Sequence, residues 1–328
     1  MDGLLGNRGP IRETLEKANY RVLEARGAGE AKEILAAQGA DLLIVDARLP
    51  DLSGDEFCRW VKSDRRTRLL PILMIGQEAG VEVELAALAS GADQFLGRPI
   101  HPELLAARVA MMARNKAMVD SLDEAESILF ALAQAVENRD KETSSHCDRL
   151  AVLSVALGRR LRLPNSDLLA LYRGGYLHDI GKVSVPDSIL FKEASLSDAE
   201  WDLMRKHTLV GEEICRPMRT LAPVLCIIRS HHERWDGSGY PDGLRGEEIP
   251  LLARLVQLAD IYDALISRRP YKPALAPEAA LGVIEEEARR GWRQVELVGL
   301  LRDVLQAQES PLAESLANLR HRVALFAD

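Results

Sequence analysis

The sequence predicts a multidomain chain, with an amino-terminal α/β domain built on a doubly wound parallel sheet followed by an all-α domain. Three observations carry this. Short apolar runs alternate with helical pattern over the first hundred residues. A stretch free of Gly and Pro follows Pro102. Beyond residue 125 the pattern is almost wholly helical, interrupted by turn signals at Leu163-Pro164-Asn165-Ser166 and Asp236-Gly237-Ser238-Gly239-Tyr240-Pro241.

In chain order, residues 11–18 read as a helix, Tyr20-Arg21-Val22-Leu23 as a short strand, and Glu30 to Ala37 as a second helix. Asp41-Leu42-Leu43-Ile44-Val45-Asp46 is an apolar, β-branched run ending in an acid, the form of a buried parallel strand. Pro71-Ile72-Leu73-Met74-Ile75 and Gln94-Phe95-Leu96 are two more, each separated by helical pattern, so helices are expected on both faces of the sheet.

The composition is that of an ordinary soluble globular protein: 328 residues, 47 % hydrophobic and 28 % charged. A net charge of -8 argues against a protein that coats DNA, which needs a Lys/Arg excess. Cys58, Cys147, Cys215 and Cys226 show no paired short spacing, which fits reduced thiols rather than a disulfide framework. No apolar run approaches membrane-spanning length and no signal segment is legible, so a cytoplasmic protein without a membrane association is expected.

The segment Leu43-Ile44-Val45-Asp46-Ala47-Arg48-Leu49-Pro50-Asp51-Leu52-Ser53-Gly54 resembles the phosphoacceptor segment of response-regulator receiver domains. Gly91-Ala92-Asp93-Gln94-Phe95-Leu96-Gly97-Arg98-Pro99 resembles the last strand of the same family. The resemblance puts Asp46 in the acceptor position, with the family's first strand missing and its acidic pair falling on Asp2 and Gly3. Gly76 stands where a hydroxyl residue is expected, and Arg98 where a lysine is. Phosphoryl transfer to an aspartate relies on Mg²⁺ and fixed cations, so Asp46 is expected to be a vestigial phosphoacceptor in a receiver-like domain over residues 1–102.

Along residues 103–124, the connecting helix, and just beyond, Leu104, Met111, Met118, Ala125 and Leu132 recur every seven residues. Leu122, Leu129 and Val136 follow three of them at a spacing of four. This is a coiled-coil pattern, interrupted by Arg108 and Asn115, through which two chains would form a homodimer. The alternative reading gives the first half to the receiver-like domain and the second half to the next core.

Five of the seven histidines, His146, His178, His207, His231 and His232, fall in one region with Glu142, Asp179 and Asp260. Glu142 and His146 are four residues apart, on one face of a helix. His178 and Asp179 are adjacent, so only a bend or a bridging carboxylate lets both reach one centre. Imidazole and carboxylate without nearby thiolate suit Fe, Mn, Co, Ni or Zn at a site that activates water.

The segment from His178-Asp179-Ile180-Gly181-Lys182 through His231-His232-Glu233-x-Trp235-Asp236-Gly237-x-Gly239-Tyr240-Pro241 to Arg269-Pro270-Tyr271-Lys272 closely resembles the HD-GYP subgroup of HD-domain metal-dependent phosphohydrolases. The resemblance, over about residues 125 to 305, implies an HD-domain bundle for the all-α domain of residues 125–310, and the helical pattern adds a carboxy-terminal helix at 311–328. The resemblance also implies a phosphodiesterase that hydrolyses the bacterial second messenger cyclic di-GMP to linear pGpG or GMP through a metal-bridging hydroxide. His146, His178, Asp179 and Asp260 would form the shared metal core with Asp179 bridging. His207, His231 and His232 would complete a second site, and Glu142 a third. Two or three divalent ions are thus implied, Fe or Mn first, with Ni, Co or Zn as alternatives.

By the same resemblance, Asp179 and Lys182 are the catalytic residues, Lys182 supporting the phosphate or the departing oxygen. Lys182, Arg269 and Lys272 contact substrate, and Asp263 orients either a neighbouring group or a guanine. The loop Gly239, Tyr240 and Pro241 would border the site and dock diguanylate cyclases of the GGDEF type. A sensor or scaffold without turnover and an HD phosphohydrolase for another nucleotide are the competing readings. The intact ligand set opposes the first, and the Gly239-Tyr240-Pro241 loop with Arg269-Pro270-Tyr271-Lys272 opposes the second.

Overall fold

The structure is a computed structural model that describes residues 8–64, 66–77, 80–139, 146–267 and 273–307. The chain divides into two compact units, Met1–Ala125 and Glu126–Asp328.

In the first unit the described elements are α1 (Arg8–Lys17), α2 (Ala28–Gln38), β1 (Leu43–Asp46), α3 (Gly54–Ser63), β2 (Ile72–Gly76), α4 (Val81–Ala89), β3 (Gln94–Gly97) and the start of α5 (Pro102–Arg139). The three strands form one parallel sheet in the order β1-β2-β3. Asp46 pairs with Ile75, and Gly76 with Gly97. Alternation puts Val45, Ile72, Met74 and Phe95 against Phe57 and Val61 of α3 on one face. Leu73 and Leu96 meet Leu15 of α1 and Leu105, Val109 and Met112 of α5 on the other. Covered faces explain why the strands read as continuous apolar runs rather than alternating ones. Ser53 caps α3 through a reciprocal pair with Glu56, which fixes the turn that follows Asp46.

The expected strand at Tyr20–Leu23 is not formed; these residues are irregular. A strand needs a neighbour within ladder distance. Here a cavity of about 550 Å³, lined by Tyr20, Val22, Leu35, Ile44 and Val109, lies beside β1 instead. Asp2 and Gly3 lie outside the described residues.

The second unit is a helical bundle. It comprises the end of α5, α6 (His146–Arg160), α7 (Asn165–Leu177), α8 (Asp187–Leu190), α9 (Asp198–Arg205), α10 (His207–Cys215), α11 (Ala222–Ser230), α12 (Leu251–Ile266), α13 (Pro277–Arg289) and α14 (Val295–Ala307). Leu150, Leu157, Leu171, Leu177, Ile227 and Leu255 are fully buried at its centre. The carboxy-terminal helix expected at 311–328 lies outside the described residues.

Along α5 two stripes separate. Leu105, Val109 and Met112 are buried in the first unit, and Ala133, Val136 and Glu137 in the second. The heptad residues Leu104, Met111, Met118, Leu122 and Leu132 are exposed, between 39 % and 68 %.

Candidate metal centre

The site is assembled where the carboxyl end of α7 meets α6, α10, α11 and α12. Helix α7 runs into His178, and the chain bends at Asp179 (φ −105°, ψ 7°) into a single 3-10 turn, Ile180–Ser184. This bend lets two adjacent side chains serve one centre. Gly181 is required there: a Cβ would fall 1.8 Å from the His207 carbonyl oxygen, so only glycine lets the turn lie against the start of α10. Close approach of these two backbones brings His207 Nε2 to 3.1 Å from Asp179 Oδ1.

Three histidines have one ring nitrogen committed. His146 Nδ1 lies 2.6 Å from Asp263 Oδ2, His207 Nδ1 2.7 Å from the Met204 carbonyl, and His231 Nδ1 2.8 Å from the Ile228 carbonyl. Each Nδ1–H donates to an oxygen that cannot donate back, so each Nε2 presents its lone pair to the interior. Those Nε2 atoms face carboxylate oxygens: His146 toward Glu137 Oε1 at 3.1 Å and Asp260 Oδ1 at 3.6 Å, and His231 toward Asp179 Oδ1 at 3.6 Å. His178 Nε2 approaches Asp179 Oδ2 at 3.2 Å, and Lys182 Nζ reaches the same oxygen at 2.8 Å. One carboxylate therefore faces both sides of the site, Oδ1 toward His207 and His231, Oδ2 toward His178 and Lys182.

Two groups result, each with its ligand atoms within 4.8 Å of one another: Asp179, His207, His231 and His232, and Glu137, His146 and His178. Buried polar atoms without a hydrogen-bond partner are costly. Yet among the described residues Glu137 Oε1, both ring nitrogens of His178, Asp179 Oδ1, His207 Nε2 and His231 Nε2 are all buried in that state. A mixed imidazole–carboxylate set with these atoms turned inward fits divalent metal ions.

The electrostatics agree. Burial alone would raise the Asp179 carboxyl, but Lys182 and His178 hold it well below the usual carboxylate range. Burial, with His231 and His207 as neighbours, keeps His232 well below the ordinary imidazole value, so it is a neutral ring ready to ligate. Burial opposes protonation of His178, but Asp179, Asp260 and Glu137 overcome it and push the ring up to about 10.

Asp263 is buried, and its oxygens are engaged by His146 and by Arg149 at 2.5 and 2.8 Å. This geometry favours the orienting role over a guanine contact. Tyr240 stacks on His232 with ring centroids 4.8 Å apart. Gly239 has its own constraint, because a Cβ would lie 2.3 Å from the Arg234 nitrogen. Glu233, fully buried, accepts from the backbone N–H groups of Asp242, Gly243 and Leu244 at 2.7 to 3.1 Å, and so fastens the far side of the Gly239-Tyr240-Pro241 loop. Gln257 ties the start of that loop to α12 by donating to the carbonyls of His231 and Glu233. An open cavity of about 300 Å³ beside His231, His232 and Asp260 is lined by Trp201, Arg205, Arg234 and Tyr240. Its cationic wall suits an anionic ligand.

Glu142, Arg269 and Lys272 lie outside the described residues, and Asp46 belongs to the other unit. The sequence reading missed Glu137, Glu233, Gln257 and Arg149. Glu137 carried one usable signal, a carboxylate one turn after Ala133 on the inward stripe of an amphipathic helix.

The HD domain family matches residues 130–294, and the response regulator receiver domain family residues 6–110. A protein of Vibrio cholerae serotype O1 named "Probable cyclic di-GMP phosphodiesterase" is 35 % identical over 300 residues, covering 81 % of this chain and 68 % of that protein. The "Cyclic di-GMP phosphodiesterase response regulator RpfG" of Xanthomonas campestris pv. campestris is 36 % identical over 272 residues, covering 76 % and 71 %. A second Vibrio cholerae protein, "3'3'-cGAMP-specific phosphodiesterase 2", is 42 % identical over 157 residues, covering 47 % of this chain and 30 % of its own.

Proposed function

The chain belongs to the HD-domain family, with a response regulator receiver domain ahead of it, and from that premise we propose that it is a metal-dependent phosphodiesterase hydrolysing cyclic di-GMP to linear pGpG or GMP. The observation that carries this reading is the inward turn of the His146, His207 and His231 Nε2 atoms onto carboxylates, with each Nδ1 held by a fixed acceptor.

Divalent ions, Fe or Mn first, would be held by His146, His178, Asp179 and Asp260 on one side and by Asp179, His207, His231 and His232 on the other. When bound, they supply activation of water and neutralisation of phosphate charge. The protein's own groups do the rest. Asp179 spans the two sides, one oxygen to each. Asp263 fixes the His146 tautomer, and backbone carbonyls fix those of His207 and His231. Lys182, held on Asp179, presents an ammonium to a phosphate oxygen or to the departing ribose oxygen. Arg205 and Arg234 on the cavity wall bind the second phosphate, joined by Arg269 and Lys272.

The test is turnover of cyclic di-GMP by protein loaded anaerobically with Fe²⁺ or Mn²⁺, followed by chromatography. Linear product supports the reading, and tight binding without product turns it into a sensor. The 3'3'-cGAMP-specific relative over the HD half makes that mixed cyclic dinucleotide the competing substrate, so the same assay is run with both.

No described helix is long and apolar enough to cross a membrane. The same reading places the chain in the cytoplasm. It gives the exposed Leu104, Met111, Met118 and Leu122 stripe to a homodimer seam and the Gly239-Tyr240-Pro241 loop to a GGDEF-type cyclase. Sedimentation of Met118→Glu, which should shift the chain toward monomer, tests the seam.

A further inference from the structure

Glu137 stands at the end of α5, only 4 % exposed, beside the site whose ligands the sequence places elsewhere. Its two oxygens have different surroundings. Oε2 accepts from the Cys147 thiol, itself buried and pushed up by burial, so that it remains a neutral S–H donor. Oε1 has no hydrogen-bond partner among the described residues and lies 3.1 Å from His146 Nε2. Because His146 Nδ1 donates to Asp263, the Nε2 facing Glu137 carries a lone pair. Two lone pairs at this distance in a dry interior repel each other unless a proton or a metal ion lies between them. His178, fully buried, brings a third ligand atom within 4.8 Å of both. A cation among the three resolves the conflict.

We propose that Glu137 is a direct carboxylate ligand of a divalent metal ion held with His146 and His178, and that Cys147 orients it by holding its other oxygen. The role is separate from that of Glu142. It rests on the metal-centre reading above and adds a ligand to it. Helix α5 thus brings its last buried residue, an acid, against His146 and His178.

The experiment uses the full chain, stripped by chelation, reloaded with Mn²⁺ and freed of excess ion. Metal per chain is read by mass spectrometry, affinity by titration, and the environment of bound Mn²⁺ by electron paramagnetic resonance. Glu137→Gln keeps the size of the side chain and removes the charge. Loss of one equivalent, or an affinity about tenfold or more weaker with a changed spectrum, is the expected result. Full stoichiometry with unchanged affinity and spectrum would overturn the assignment and leave Glu137 as a hydrogen-bond acceptor of a protonated His146. Should Glu137→Gln fail to fold, judged by circular dichroism, Glu137→Asp decides: a weakened site supports the ligand role, and an unaltered one refutes it. His178→Ala serves as the control that must lose metal. A parent chain that holds no Mn²⁺, Fe²⁺ or Zn²⁺ would sink the metal-centre reading itself, whereas failure of Glu137 alone leaves that reading standing.

Discussion

Arg98 Nη2 lies 2.9 Å from Asp46 Oδ2, an ion pair with the Asp46 side chain 6 % and the Arg98 side chain 18 % exposed. The other Asp46 oxygen accepts the Arg48 backbone N–H at 2.9 Å. At Gly76 a Cβ would come 2.4 Å from the Phe95 ring, so the aromatic side chain fills the space where a hydroxyl residue would stand. The acceptor position is thus occupied by internal partners. Incubation with a small phosphodonor and Mg²⁺ is expected to leave Asp46 unmodified. An aspartyl-phosphate mapped to Asp46 would reverse that reading.

Asp46→Asn should lower the stability of the first unit by about 2 kcal/mol, because it removes the carboxylate charge from a buried ion pair with Arg98. Turnover should change little. Thermal melts together with an activity assay separate the two effects.

Replacing Asp179 by alanine removes a carboxylate that faces both groups of the metal centre. Bound metal and phosphodiesterase activity are expected to disappear together, with the apo fold retained by circular dichroism. Survival of either would refute the bridging role.

For Asp263→Asn, the expected change is in the tautomer of His146, since an amide is a far poorer partner for the Nδ1–H than a carboxylate at 2.6 Å. Metal affinity should fall about 10- to 100-fold, as for other groups that hold a ligating histidine. Arg149→Met, which takes the guanidinium away from the buried Asp263 carboxylate and leaves it His146 and the Ser267 hydroxyl among the described residues, should instead cost about 3 kcal/mol in a denaturant melt.

Arg205→Ala tests the cavity wall. Its guanidinium lies over the Tyr240 ring at 5.7 Å and lines the cavity beside His231 and His232. KM should rise about tenfold with metal content unchanged, the loss of one charge-assisted contact. A fall in kcat alone would assign it a different role.

Arg229 binds Asp242 through two bonds at 2.7 and 2.8 Å and Glu212 at 2.7 Å, tying α10 to the loop just after Pro241. The guanidinium holds the Asp242 carboxyl below its ordinary value; burial would raise that of Glu212, but Arg229 and Arg216 hold it low as well. A carboxyl with a depressed pKa in the folded state stabilises above its unfolded value and loses that contribution as the pH falls. Melting temperature should therefore drop below about pH 4 in the parent and less steeply in Arg229→Gln. Parallel curves would exclude the linkage.

Much of this molecule is determined by local sequence. The three apolar strands, the adjacent His178 and Asp179, and the loss of the receiver's hydroxyl and lysine at Gly76 and Arg98 are all legible in order along the chain, because each depends on neighbours within a few residues. Tertiary structure decided what depends on distant partners. Tyr20–Leu23 has strand composition but no adjoining ladder among the described residues, and composition does not supply one. Asp263 lies 117 residues from His146, and only packing of α6 on α12 brings its carboxylate to the His146 Nδ1. Glu137 looks like a solvated charge at the end of a helix until the fold buries it against His146. The direction in which a ring nitrogen points and the number of partners an oxygen lacks are properties of the assembled interior, which no single segment contains.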